Sequence, residues 1–327
     1  GVGMPASAPP DPRPTAPRPR LLWMDAFRGL AVLLVVLMHA QTALVNTGLR
    51  PSPIVGVVND AVGAFRMPGL LVLSGMLLVV SLRRPPRAYL ADKLRKIAWP
   101  WLVWTAAMIP AFGIEYATQP TWWLNGTHTW FLTVIFVGYV LGLVLRPVPP
   151  ALTALGLFAA GMLIEPQGNE WLLVVDRITW YGGFFFVGAG LARWRESWNR
   201  IPWPVMVLPV AFTLLWAGIA VRAGGHPEDH TVLTATAAVI GVLSVLWLFG
   251  RLPETPPMRW LGAAGRHSLV LFVAHYPVIR LLRRVEWMPE GIAGVAVLFA
   301  AGLGTGVVFV LLYPRVRWLF EFPRRRV

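Results

Sequence analysis

The chain of 327 residues contains no cysteine, which removes structural disulfides, thiolate metal sites and cysteine nucleophiles from consideration and leaves no sign of redox compartment. Charge is scarce as well, at 13% of residues against 56% apolar, so a disordered or nucleic-acid-coating polypeptide is excluded. Lysine is nearly absent: of 29 basic residues only Lys93 and Lys96 are lysines, an arginine bias expected of a high-GC bacterial genome. Acids number 15, giving a net charge of +14. The bases sit in short clusters between long apolar runs, not along one polar face, so no nucleic-acid partner is implied. The composition is that of a membrane protein.

A window of about 19 residues picks out apolar segments at 27–46, 60–82, 97–116, 130–146, 149–164, 178–193, 202–221, 231–250, 267–283 and 291–313. The expected fold is an all-α integral membrane protein, a bundle of about ten transmembrane helices. Segment 149–164 is short, and 267–283 contains His275, Pro277 and Arg280, so a broken or re-entrant element is expected there. Residues 1–20, rich in Pro and Arg, read as a flexible cytoplasmic tail, 21–320 as the transmembrane domain and 321–327 as a basic cytoplasmic tail. No cleavage-site pattern follows the first apolar run, which reads as the first helix and not as a secretory signal. With both termini inside, 22 of the 29 bases fall on the cytoplasmic side, the orientation the positive-inside rule favours in a bacterial inner or plasma membrane.

Ionisable residues within spans are costly and mark candidate sites. In the first helix, DAFRGLAVLLVVLMHA, Arg28 and His39 are eleven residues apart. That spacing puts them about 20° apart in azimuth and about 16 Å apart along the axis, on one face. Arg28 reads either as a snorkelling anchor or as a group holding an anionic ligand at the inner boundary. His39 reads either as an interhelical hydrogen-bonding group or as a general base inside the bilayer, since imidazole titrates near neutrality. Ser74-Gly75 reads as a small-residue helix contact. The basic exit of the second span, with Arg84, Arg87, Lys93 and Lys96, suits anionic lipid, topology or the phosphates of a soluble ligand. On the outer side Arg66 lies near the boundary. EYATQPTWWLNGTHTWFL supplies Glu115, Trp123, His128 and Trp130, as an interfacial belt or a sugar-stacking mouth, with Glu115 placed to orient His39 or hold an acceptor. The loop GGHPEDH (224–230) reads as solvated, and neither it nor His267 with His275 matches a metal signature.

The stretch from Asp25 to His39, read as D-x-x-R-G and then apolar residues to His, resembles the opening motif of the membrane acyltransferase-3 family of O-acyltransferases. FRMPGLLVLSGMLL, FLTVIF after HTW, GGFFFVGAGLAR and LGAAGRHSLVLFVAHYPV resemble later family segments in the same order, covering about 25–320. The family's basic pair three apart is matched by Lys93 and Lys96 or by Arg84 and Arg87. The resemblance implies transfer of an acyl group, acetyl or similar, from cytoplasmic acyl-CoA to a hydroxyl of an envelope glycan or glycolipid, without a metal. His39 would then act as base, or through a transient acyl-imidazole, with Arg28 on the coenzyme. Arg66, Trp123, His128 and Trp130 would face the acceptor. A transporter or flippase for a lipid-linked saccharide is the competing expectation. Monomer and homo-oligomer are left open.

Overall fold

The computed structural model describes residues 21–324; the expected tail at 1–20 and residues 325–327 lie outside the described residues. Among the described residues every regular element is helical. The first helix, α1 (Leu22–Val45), turns through Gly48 into α2 (Pro53–Gly75). Two features fix where α2 starts. The Ser52 hydroxyl accepts the Val55 N–H, with Pro53 at the first helical position. The Gln41 amide both donates to the Ser52 carbonyl at 2.7 Å and accepts its N–H at 3.0 Å. A short continuation, α3 (Leu78–Ser81), extends this span to 29 residues.

After Pro85 the chain continues as a broken path: α4 (Pro86–Lys93), a π-helical turn (Leu94–Ala98), α5 (Trp99–Ala106) and α6 (Ile109–Phe112). Pro100 has no N–H to offer the carbonyl of Lys96, and the ladder widens there. A 3₁₀ turn (Ile114–Thr118) and α7 (Pro120–Asn125) follow. Then come α8 (Trp130–Val144), α9 (Pro150–Leu163) and α10 (Glu170–Leu191), the last capped by the Asn169 side chain. The chain continues with α11 (Trp203–Ala223) and α12 (Val232–Arg251), which opens on a Thr231/Thr234 capping box. The remaining helices are α13 (Pro256–Arg266), α14 (Ser268–Leu282), α15 (Gly291–Leu311) and α16 (Tyr313–Val316).

Among the described residues, six helical segments are long and apolar enough to cross a membrane: 22–45, 53–81, 170–194, 203–223, 232–251 and 291–311. Helices α8, α9 and α14 are apolar but only 14 or 15 residues long, so helix length alone supports six spans and not the ten expected. The expected break at 267–283 is absent. Helix α14 runs on through Pro277, and the carbonyl that this proline leaves without a backbone donor, that of Val273, is taken by a histidine described below.

Helix α1 is central, touching α2, α12, α13, α14 and α15. Close approach is built from glycine: a Cβ on Gly75 would overlap the carbonyl of Phe185, and one on Gly188 that of Val72, which locks α2 against α10. The expected packing role of Ser74-Gly75 is therefore met by Gly75. At one end of the bundle Arg50 binds Glu290 at 2.5 Å and accepts the Gly291 N–H at 2.8 Å. At the other, Arg95 binds Glu321 and its carbonyl accepts the Phe322 N–H at 3.0 Å. The two ends of the described chain thus share one face, here called the terminal face. Order continues past 321, because Glu321 is buried and also bonded by Arg317.

Candidate active site within the helical bundle

The face of α1 predicted from spacing opens onto two cavities. Towards the terminal face, a cavity of about 180 Å³ is lined by Arg28 of α1, Ser74 and Leu70 of α2, Lys96 of the π turn, and Phe131 and Phe272. Beyond it, a cavity of about 410 Å³ is lined by His39, Arg66, His128, Trp130, Arg177 and Phe272, with the loop 226–230 at its edge. Phe272, buried on α14, is the one described residue common to both walls. Arg28 also lies 3.6 Å from Asp25.

Three histidines from distant parts of the chain meet at the wall of the larger cavity, which His39 and His128 line and His275 backs. His275 Nδ1 lies 3.0 Å from the Leu271 carbonyl, which only an N–H can satisfy, so its Nε2 is the acceptor nitrogen of a neutral ring. His39 Nδ1–H then donates to that Nε2 at 2.9 Å. This leaves the His39 Nε2 lone pair for the cavity that His39 lines. The stacked imidazoles stand 5.1 Å apart. His128 Nε2–H donates to the Val273 carbonyl at 3.1 Å, the group freed by Pro277, and its buried Nδ1 has no hydrogen-bond partner among the described residues. The Tyr276 ring sits 4.8 Å from His39 and 4.7 Å from His128.

The expected site residues divide. His39, His128, Arg66 and Trp130 come together. Arg66 lies deep and not at a boundary, because α2 begins at Pro53 and not at 60, which puts it about 20 Å along the helix. Glu115 does not orient His39: the chain turns at Gly113 (φ 135°), Glu115 is exposed, and the partner of His39 is His275. Trp123 lines neither cavity; its indole donates to the Ala117 carbonyl at 3.0 Å and its own carbonyl accepts the Trp101 indole at 3.0 Å. The loop 224–230 is not simply solvated. His226 packs over Gly63, while His230 stacks on Trp180 at 4.1 Å and lies 2.9 Å from Asp176. His275, Tyr276, Arg177 and Phe272 were not singled out as site residues, although His275 and Pro277 stood out as polar and helix-breaking within an apolar run.

Of the basic cluster, only Lys96 joins Arg28 at the smaller cavity. Arg87 is exposed, and Arg84 pairs with Asp92 at 3.0 Å. Lys93 turns inward, 3.0 Å from the Ser81 hydroxyl and 3.9 Å over the Tyr139 ring. Burial, outweighing attraction to Asp92, brings the Lys93 ammonium down to about 8. The unfolded chain, with an ordinary lysine near ~10.4, binds more protons between those values, so this contribution to stability grows as pH rises from about 8 and is absent below it. Lys93→Met is therefore expected to melt higher than wild type at pH 7 and to lose that advantage by about pH 10, which thermal unfolding at both pH values checks.

The long apolar helices define a multi-pass membrane protein, and the buried imidazole cluster, with two cavities that share Phe272 as a wall residue, is the candidate site inside its bundle. A family profile described as an acyltransferase domain matches residues 21–313, nearly the whole chain. The chain belongs to the acyltransferase-3 family and is a membrane acyltransferase. No curated protein and no solved structure gives a significant match.

Proposed function

We propose that the protein is an O-acyltransferase that takes acyl-CoA at the cytoplasmic, terminal face and passes the acyl group to a hydroxyl of an envelope carbohydrate or glycolipid in the larger cavity. In this reading the broken path from 97 to 112 and the short helices α8, α9 and α14 also cross, giving ten spans in a bacterial inner or plasma membrane with both termini inside. The observation that carries it is the division of the α1 face: Arg28 in one cavity, His39 in the other, Phe272 between them. Arg28 and Lys96 hold the coenzyme phosphates, and the pantetheine arm follows the smaller cavity towards Phe272.

The chemistry then needs one base. His39 Nε2 takes the proton of the acceptor hydroxyl as its oxygen attacks the thioester carbon. The new C–O bond forms, the C–S bond breaks, and the proton held by His39 passes to the departing sulfur, so that free CoA leaves towards the cytoplasm as the thiol and His39 is neutral again. Fixing both substrates against one ring pair contributes through proximity. His275 keeps the proton of His39 on Nδ1, so the lone pair faces the acceptor.

The test is consumption of acetyl-CoA and succinyl-CoA by purified protein in detergent, with a panel of envelope glycans. Acceptor-dependent release of free CoA is the expected result. Neither donor binding nor turnover, together with saccharide flux in donor-free vesicles, would replace this reading with a flippase.

A further inference from the structure

The reading above leaves the acceptor's chemistry open, and the larger cavity contains a feature that an uncharged sugar does not explain. Arg66 is only 8% exposed, yet its Nε has no hydrogen-bond partner among the described residues, and its one bond there is from Nη1 to the Asn59 side-chain oxygen at 3.3 Å. No described carboxylate lies within ion-pair distance of it. A buried guanidinium without a counter-charge is strongly unfavourable, and its planar fork matches a carboxylate or phosphate in two parallel hydrogen bonds.

The surrounding charges sharpen the point. Arg177, also on the cavity wall, lays its guanidinium over Trp130 at 4.6 Å from the ring centre, a second cation facing the same space. The acids on the cavity wall are committed or peripheral: Asp176 lies 2.9 Å from His230, and Glu228 and Asp229 are exposed on the loop at the edge. The wall therefore carries two cations, Arg66 and Arg177, while of its acids Asp176 is buried against His230 and Glu228 and Asp229 stand towards solvent. At about 410 Å³ the space is within the range of small-ligand sites.

Resting on the acyltransferase reading for its account of the cavity, we propose that the acceptor carries an anionic oxygen group, carboxylate or phosphate, which Arg66 seats, with Arg177 as second cation, so that a nearby hydroxyl meets His39. The neutral part of such an acceptor is a sugar ring; the anion is either a substituent on the sugar or the phosphate of a lipid headgroup.

The experiment is binding to purified protein with no acyl donor present, read by tryptophan fluorescence or calorimetry, using glucuronate, glucose 6-phosphate, glycerol 3-phosphate and glucose. The sugar anions are expected to bind at least about 30-fold tighter than glucose, and Arg66→Gln to erase most of that preference while leaving glucose unchanged. Arg66→Lys is expected to recover part of it. Glycerol 3-phosphate binding as tightly as the sugar anions assigns the anion to a lipid headgroup; weaker binding assigns it to the sugar. Arg177→Gln, on a half-buried residue, gives a second variant in case Arg66→Gln does not fold, and is expected to weaken anion binding by a smaller factor. Equal binding of glucose and the anions, or an anion preference untouched in the folded variants, would overturn the proposal. A neutral glycan acylated by wild type as fast as its anionic counterpart would sink it while leaving the acyltransferase reading intact. Anion binding without any donor consumption would do the reverse.

Discussion

His39→Ala is expected to lower acyl transfer by about 10³-fold or more, with folded yield and donor binding unchanged. The size follows from what the residue supplies. His39 is one of three imidazoles in the buried cluster, but the other two are held differently. His275 has both ring nitrogens committed, one to the Leu271 carbonyl and one to His39. His128 gives its N–H to Val273 and keeps its remaining nitrogen closed off from the surface. His39 alone couples a fixed proton to a lone pair on the cavity side. An alanine there leaves the donor end untouched, because Arg28 lies about 16 Å away along α1. Turnover and donor binding measured on the same preparation separate the two, and full activity in the variant would remove His39 from the mechanism.

The second large effect is expected at a residue that touches no substrate in this reading. Replacing His275 by phenylalanine removes the acceptor for the His39 Nδ1–H, so His39 populates both tautomers and swings more freely. The expectation is a fall in kcat of about 10²-fold with little change in KM, and a displaced pH–rate profile. His275→Gln restores an acceptor oxygen at similar reach and is expected to regain part of the loss. A purely structural role for His275 predicts something else: less folded protein, but an unaltered profile in what remains.

Much of this was visible in the residues because a helix turns spacing into direction. Arg28 and His39, separated by uncharged residues, could only share a face, and each lines a cavity on that face. What spacing does not carry is which distant element arrives opposite. The pairing of His39 with His275 joins residues 236 positions apart. Hydropathy windows also begin where charge stops. Asn59 and Asp60 delayed the apparent start of α2 and left Arg66 at a boundary, and Asp176 and Arg177 did the same for α10, hiding a cation that belongs inside. Glu115 was misplaced for a backbone reason, since the turn at Gly113 sends the chain sideways where a continued helix would have carried the carboxylate towards the bundle. Within the basic cluster, composition could not rank one cation above another. The π turn selects Lys96 for the smaller cavity, while α4 commits Lys93 to Tyr139.

The single ring of Phe272 between the two cavities also has an electrical meaning. Where aqueous chambers approach each other from both sides, the membrane potential falls across the thin partition and not across the full lipid thickness. A unit charge carried past that ring then does the full work of crossing the membrane, about 2.3 kcal/mol per 100 mV. A neutral acyl group does none. Passing the acyl group while the coenzyme's phosphates and the acceptor's charge stay on their own sides makes the group transfer itself indifferent to voltage, even at the point where the field is steepest.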